Sequence, residues 1–422
     1  MTEATAEAPR IPMRRDCPYH PPAPYARLRE QGPLARVTLA DGRTAWLVTG
    51  YAEVRMLLAD RRMSADPTTP GYPELDNVPD ELRSSPEDFR ETQTFVQMDM
   101  PAQGLHRRMV LSHFGARRVA ALRPVVQEAA DALVDRMLHV GPPADLVPAF
   151  AAPLPAAVLT EMLGVPATDR EAFRTRLAQG ERGIAGLAPS LDGLIRSDPK
   201  EGIIGTLAAR VRGGELTHRQ ALATTMMLLV AGHETTENMI ALGALALLRH
   251  PGQLEAVRDD PSLMPGAVEE LLRYVSTADV LPRVATAEID VAGMRIAPGT
   301  PVILSLAAAN RDGGVFAVPD TVDVLRDERG VSRDERGVSR GGRHVAFGHG
   351  PHQCLGNNLA RLELTVALST LFRRVPTLRL AVPATDLDVK PALSLQGVTG
   401  LPVDWGVCRP LTGSPPNEKG HG

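Results

Sequence analysis

The stretch FGHGPHQCLGNNLAR, residues 347–361, sets a cysteine between glycines at the entrance to a helical pattern. Gly350 and Gly356 let the backbone turn and approach a neighbour without a Cβ clash. The residues that follow, LGNNLARLELTVALSTLF at 355–372, have apolar side chains at helical spacing, so Cys354 stands near a helix N-terminus. Amides and the helix dipole there favour a thiolate over a thiol. A lone cysteine is most often a small buried hydrophobe. One in a tight glycine loop, with amide donors aimed at its sulfur, suits a metal ligand instead. The chain has three cysteines, Cys17, Cys354 and Cys408, which cannot make a disulfide framework and fit a reducing compartment.

A second stretch, MLLVAGHETTENMIALGALALL at 227–248, lies inside a helical pattern from about residue 217 to 249. At about 1.5 Å per residue this helix is about 48 Å long, enough to cross a whole domain. Thr235 can turn its hydroxyl to the Ala231 carbonyl one turn back and open the helix locally. Gly232 predicts a place where some group must approach closely. Glu234 beside Thr235 puts an acid next to an alcohol, a pair suited to proton delivery. Read in isolation, the two would be a half-solvated glutamate and a core threonine.

The loop and the helix together resemble those of the cytochromes P-450, and the resemblance runs from about residue 16 to 405. WLVTGYAEVRMLLAD at 46–60 and ANRDGGVF at 309–316 are similar to the soluble bacterial branch that oxidises antibiotics, terpenoids, macrolides and xenobiotics. The resemblance implies a mainly α fold with a small β region, holding haem b (iron protoporphyrin IX). Cys354 would be the axial metal ligand, whose thiolate favours O–O cleavage. It implies that Phe347 packs under the haem, that Gly356 shapes the loop, and that His352 holds a propionate. Propionates are anionic and call for arginine or histidine; Arg283 in LPRVAT and Arg107 in MDMPAQGLHRRMV match the family's positions. That second string departs from the family, because Gln103 stands where a propionate histidine is common. AGHETT matches the acid–alcohol pair, giving proton delivery to Glu234, oxygen stabilisation to Thr235 and a cofactor-facing place to Ala231. Relatives that use peroxide or reduce nitric oxide tend to lack one or both, so the pair points to monooxygenation. Glu270 and Arg273 in AVEELLRYV match a buried structural pair completed by a second arginine, for which Arg326 is the candidate. Family analogy also lines the substrate pocket with Leu229, Val230, Val280, Leu281, Leu395 and Gln396.

Composition agrees with a single enzyme domain over residues 1–422. Lys and Arg number 46 against 50 Asp and Glu, a net charge of -4, which argues against a nucleic-acid or membrane-surface partner. There is no secretory leader pattern at the start and no apolar run long enough to span a bilayer, so a cytoplasmic protein is expected. Residues 34–49 alternate about Asp41-Gly42 and predict a hairpin; residues 64–96 read as a long loop. Helices are predicted at about 51–60, 102–113, 117–139, 155–163, 169–178, 217–249, 251–258, 264–275 and from Cys354 to Arg374. Short strands are predicted within 287–304 and 376–405. Residues 1–15 and 408–422 read as flexible ends. RDERGVS occurs at 326–332 and again at 333–339, predicting an exposed repeat loop whose extra length costs little. The segment from Phe173 to Leu191 is short for the pair of helices that usually lid the pocket, which predicts a more open site.

The activity expected is insertion of one oxygen atom into an apolar small molecule, a secondary metabolite, by hydroxylation or epoxidation. The open alternatives are oxidative C–C or C–N coupling of a peptide or carrier-bound substrate and, outside enzymes, a haem sensor, an electron carrier or a haem-free helical binding protein. No flavin or nicotinamide fingerprint is present, so electrons are expected from a ferredoxin and its ferredoxin reductase, delivered to a monomer.

Overall fold

The computed structural model describes residues 8–11, 15, 17–75, 85–177, 179–326, 344–390 and 395–406. The predicted hairpin forms: Leu34–Thr38 pairs antiparallel with Thr44–Val48, Leu34 opposite Val48 and Thr38 opposite Thr44. Its turn passes through Gly42 at φ +83°, a left-handed value that glycine adopts without strain. Thr44–Val48 runs parallel to Pro301–Ser305, which pairs antiparallel with Val280–Ala285; Met63–Ser64 completes this five-stranded sheet. A three-stranded sheet joins Ala144–Asp145, Pro402–Asp404 and Arg379–Leu380, and Ile289–Val291 forms a hairpin with Met294–Ile296.

The rest is helical and is organised around one long helix, His218–Arg249, of 32 residues. Thr217 caps it, accepting from the Gln220 amide while the Gln220 side chain returns to the Thr217 amide, so two otherwise unpaired donors are satisfied. From Thr236 to Leu247 every residue is buried. Its apolar run from Met239 to Leu247 suits the interior, and the helix packs on Pro153–Leu163, Ala188–Arg196, Gly202–Arg212, Met264–Val275 and Asn357–Arg374. Among the described residues no helix is long and apolar enough to cross a membrane.

Several expectations change. The stretch read as a loop over 64–96 contains the end of a strand and the helix Pro86–Thr92, whose Ser85 side chain accepts from the Asp88 amide. One capped two-turn helix is too short to give a periodic signal. Between Phe173 and Leu191 the chain is helical at Arg170–Leu177, Glu181–Ala185 and from Ala188. Leu177, Ile184, Leu187, Leu191 and Ile195 are all buried, so short helices still deliver an apolar face. Gly202–Arg212 lies outside the predicted helices; its Ile203, Ile204, Leu207 and Ala208 are buried. The predicted helix at 117–139 divides into Ala116–Ala120 and Arg123–Val140, since Pro124 suits a first turn. At the N-terminus, Ile11 is buried and its amide donates to the Thr38 carbonyl; Arg15 lies 3.5 Å from buried Asp279. These positions, within the expected arm, contact the body of the protein. The repeat beyond Arg326 and the tail at 408–422 lie outside the described residues.

Candidate active site

The cysteine loop is held from both sides. The Cys354 amide donates to the Phe347 carbonyl at 2.8 Å, and Asn357 Nδ2 donates to the Cys354 carbonyl at 2.8 Å. Gly350, at φ +72°, presses on the helix Tyr51–Ala59: a Cβ there would fall 2.6 Å from the Leu58 carbonyl oxygen. Side-chain bulk is excluded at that point. The helix Asn357–Arg374 starts immediately after the loop. Cys354 keeps accessible surface although protein surrounds it. Burial pushes its thiol up, while the Gly356 amide and the charges of Arg107 and Arg361 pull it down. Burial outweighs the rest and leaves the thiol raised, so a bound cation would be needed to complete the anionic sulfur, as in a metal ligand.

Cationic groups converge beside it. Arg107 donates to the Gln353 carbonyl at 2.7 Å. Arg283 is 7% exposed, its guanidinium donates to the adjacent Pro282 carbonyl at 2.7 Å, and it has no ion pair among the described residues. A buried guanidinium without a carboxylate is costly unless an anion completes it. His352 titrates at about 4, chiefly through burial and then through Arg283 and Arg107, with Asp99 opposing; it is neutral near pH 7. A thiol, two arginines and a neutral imidazole form a donor set that fits a haem iron and its propionates. The residues therefore suit the group.

Gln103 is placed differently from the resemblance. It is 2% exposed and its Nε2 donates to the Pro351 carbonyl at 2.8 Å, so its amide braces the cysteine loop. Phe347 lies under the Arg361 guanidinium at 4.7 Å and beside the His344 ring.

On the long helix, Thr235 Oγ1 donates to the Ala231 carbonyl at 2.7 Å. Val230 and Ala231 keep accessible surface. Glu234 is half-buried and lies 3.8 Å from Lys390 Nζ. Gly232 answers to packing rather than to a cofactor: a Cβ would stand 2.9 Å from Leu159 Cδ2.

The pocket expectations divide by strand and helix geometry. Leu281 and Arg283 are two apart on Val280–Ala285 and share a face, and Leu281 approaches the glycine of the cysteine loop at 348. Val280 faces the other way, into a cluster with Ile11 and Tyr25. Leu229 is fully buried in the main core, one residue round the helix from accessible Val230. Both corrections follow from neighbouring residues pointing in different directions. Leu395 is half-buried and bridges Ala278; Gln396 is 4% exposed, with its amide on the Thr277 carbonyl.

Glu270 and Arg273 make a bidentate pair, both contacts 2.8 Å, and Arg326 adds a third donor at 3.0 Å. A second network beside it was not read from the sequence. Glu269 accepts from Arg361 at 2.5 and 3.0 Å and from His344 Nε2 at 3.1 Å. Burial alone would raise its carboxyl, but these donors hold it well below the usual range. Adjacent glutamates thus tie the helix Met264–Val275 to two parts of the chain, Glu269 to the cysteine-loop helix. The spacing Glu269-Glu270 was visible; its partner 92 residues away was not.

Known proteins share this arrangement. The family model described as cytochrome P-450 matches residues 195–376. Vitamin D3 dihydroxylase of Streptomyces griseolus is 45% identical over 419 residues, covering 96% of this chain and 98% of that protein. The chain belongs to the cytochrome P-450 family. Mycinamicin VIII C21 methyl hydroxylase of Micromonospora griseorubida is 40% identical over 407 residues, covering 93% and 99%. The crystal structure of cytochrome P-450 MoxA from Nonomuraea recticatena, a CYP105 protein, superimposes with a TM-score of 0.85 at 40% identity, covering 95% and 99%. This P-450 is a monooxygenase of the haem-thiolate type, and its mainly helical fold is the family's.

Glu363, on the cysteine-loop helix, is 1% exposed and its Oε1 has no partner among the described residues. Burial raises its carboxyl to about 8. The folded protein therefore holds this proton where an unfolded chain, near 4.5, releases it. Its contribution to stability is complete below the unfolded value and is lost as pH rises through the folded one. Glu363→Gln is expected to remove that slope and to raise stability at about pH 9 by a few kcal/mol, because each pH unit between the unfolded and folded values corresponds to about 1.4 kcal/mol. Thermal unfolding of both proteins from about pH 5 to about pH 9 checks this; parallel curves would refute it.

Proposed function

We propose that this P-450 inserts one oxygen atom from dioxygen into an apolar small molecule of secondary metabolism, by hydroxylation or epoxidation. The observation that carries the reading is the acid–alcohol pair Glu234–Thr235, set on the long helix beside accessible Val230 and Ala231. Two of the relatives, by their names, hydroxylate vitamin D3 and mycinamicin VIII. Haem b, held by Cys354 with Arg283, Arg107 and His352 toward its propionates, would supply the activation of dioxygen. The chain's own part is positional. Thr235 keeps its hydroxyl hydrogen on the Ala231 carbonyl until a better acceptor arrives, and Glu234 provides the exchangeable proton behind it. Val230, Leu281 and Leu395 exclude water and orient an apolar substrate.

Electrons come from separate proteins, for which we infer a small acidic ferredoxin and its reductase. Exposed Arg108, Arg117 and Arg118 lie on the helices next to the cysteine loop and supply the complementary charge. The P-450 acts as a monomer in this reading. The test is turnover of a panel of free apolar molecules, vitamin D3 among them, with a ferredoxin, its reductase and NADPH. Oxygenated product from a free molecule supports the proposal. Product only from a peptide or carrier-bound substrate, with coupling instead of oxygen gain, would replace it by the cross-linking reading.

A further inference from the structure

The acid on the long helix is not alone. Lys390, from the C-terminal segment, places Nζ 2.9 Å from Glu237 Oε1, 2.8 Å from Asn238 Oδ1 and 3.8 Å from Glu234 Oε1. It is the one ion-pair partner of Glu234 among the described residues. The lysine's backbone is fixed, since its amide donates to the Gly397 carbonyl at 2.9 Å and Val389 bridges Val398. The segment also lies hard on the helix: a Cβ at Gly397 would fall 2.2 Å from Asn238 Oδ1. The ammonium is therefore positioned by main chain and close packing rather than by a loose surface contact.

Behind Glu237 is a second titratable group. His233 Nε2 is 3.0 Å from the Ala152 carbonyl, which can only accept, so that nitrogen carries the hydrogen. Burial lowers this histidine, leaving it neutral near pH 7. Its Nδ1 stands 3.8 Å from Glu237 Oε2. Glu234, Lys390, Glu237 and His233 form one string from the half-exposed relay acid to the interior of the helix bundle.

We infer that Lys390 is a positioning residue for the oxygenation reaction. It fixes the Glu234 carboxylate beside Glu237 on the helix that carries Thr235, so that the acid is placed and charge-compensated each time it gives up a proton. Glu234, half-exposed, takes from solvent the proton it passes on, and the Lys390 ammonium keeps the carboxylate left behind from standing unpaired beside Glu237. The inference rests on the relay proposed for Glu234 and Thr235.

The experiment compares the full-length haem-loaded wild type with Lys390→Met, Lys390→Gln, Lys390→Arg and Glu234→Gln. Each is driven by ferredoxin, reductase and NADPH with the panel molecule giving most product. Product and hydrogen peroxide per NADPH are measured, together with the solvent deuterium isotope effect. Misplacing a relay group costs up to about 100-fold in product formation. Lys390→Met and Lys390→Gln are expected to lose product toward that limit, raise the peroxide share and change the isotope effect, with arginine restoring all three. A wild-type product ratio and isotope effect in both neutral variants, while Glu234→Gln loses product, would overturn the role of Lys390 and leave the relay standing. A wild-type rate of product formation in Glu234→Gln would overturn the relay itself. Thermal unfolding supplies a readout independent of turnover. Lys390→Met and Glu237→Gln should be less than additive when combined, and additive shifts would remove the coupling on which the inference depends.

Discussion

Replacing Cys354 by alanine is expected to abolish the strongly red-shifted Soret band of the reduced carbon-monoxide complex and to bring oxygenation below detection. The thiolate has no substitute among the described residues. His352 is the nearest residue of a ligating type in the sequence, but Arg283 and Arg107 beside it mark it as part of the propionate side of the site. The loop itself should survive, because its hydrogen bonds run through the Cys354 amide and carbonyl rather than through sulfur. The protein should therefore remain folded, with far-ultraviolet circular dichroism unchanged and stability within the usual range for a small substitution at an accessible side chain. Cys354→Ser is the sharper control, since it keeps size and a hydroxyl acceptor but lacks the soft anionic sulfur. A wild-type band in either variant would sink the assignment of the metal ligand.

Much of this was readable from local sequence because the chemistry imposes local rules. A thiolate at a helix entrance needs glycines at set distances, and the bond from Thr235 to Ala231 needs only four residues of helix. The hairpin was legible through alternation about Gly42, and the long helix through its helical pattern from about residue 217 to 249. What escaped depends on distance in sequence or on direction. Nothing near Gln103 says that its amide meets Pro351, 248 residues away; the family position suggested a propionate instead. Leu229 and Val230 are neighbours in sequence, yet one is sealed in the core and the other accessible. Choosing between them requires the rotation of the helix, which the packing of Gly232 on Leu159 fixes. Lys390 was overlooked because an isolated lysine near the end of the chain gives no periodic or motif signal. Its significance comes from the β-bridge that lays it on Glu237 and Asn238.

The second large effect is expected on the long helix. Glu234→Gln should lower product formation by about 10²- to 10⁴-fold, the range in which a positioned acid contributes to catalysis, with little change in substrate binding. Glutamine keeps the shape and can accept a hydrogen bond, but it cannot give up and regain a proton near neutral pH. Thr235→Ala should fail in a different way. It removes the hydroxyl while leaving the acid, so NADPH consumption continues and hydrogen peroxide replaces much of the product. The helix should tolerate the loss, because among the described residues the Thr235 hydroxyl bonds only to the Ala231 carbonyl, a contact that slightly destabilises a helix. Thr235→Ser restores the hydroxyl without the methyl and should recover much of the coupling, whereas Thr235→Val keeps the methyl and should not. Measuring product, peroxide and NADPH together separates the two failures. A slow enzyme with normal coupling identifies lost proton supply; a fast, uncoupled one identifies lost proton placement. If Thr235→Val were coupled as tightly as wild type, the hydroxyl would have no part in placing the proton. The pair would then reduce to a half-buried acid beside a packing residue.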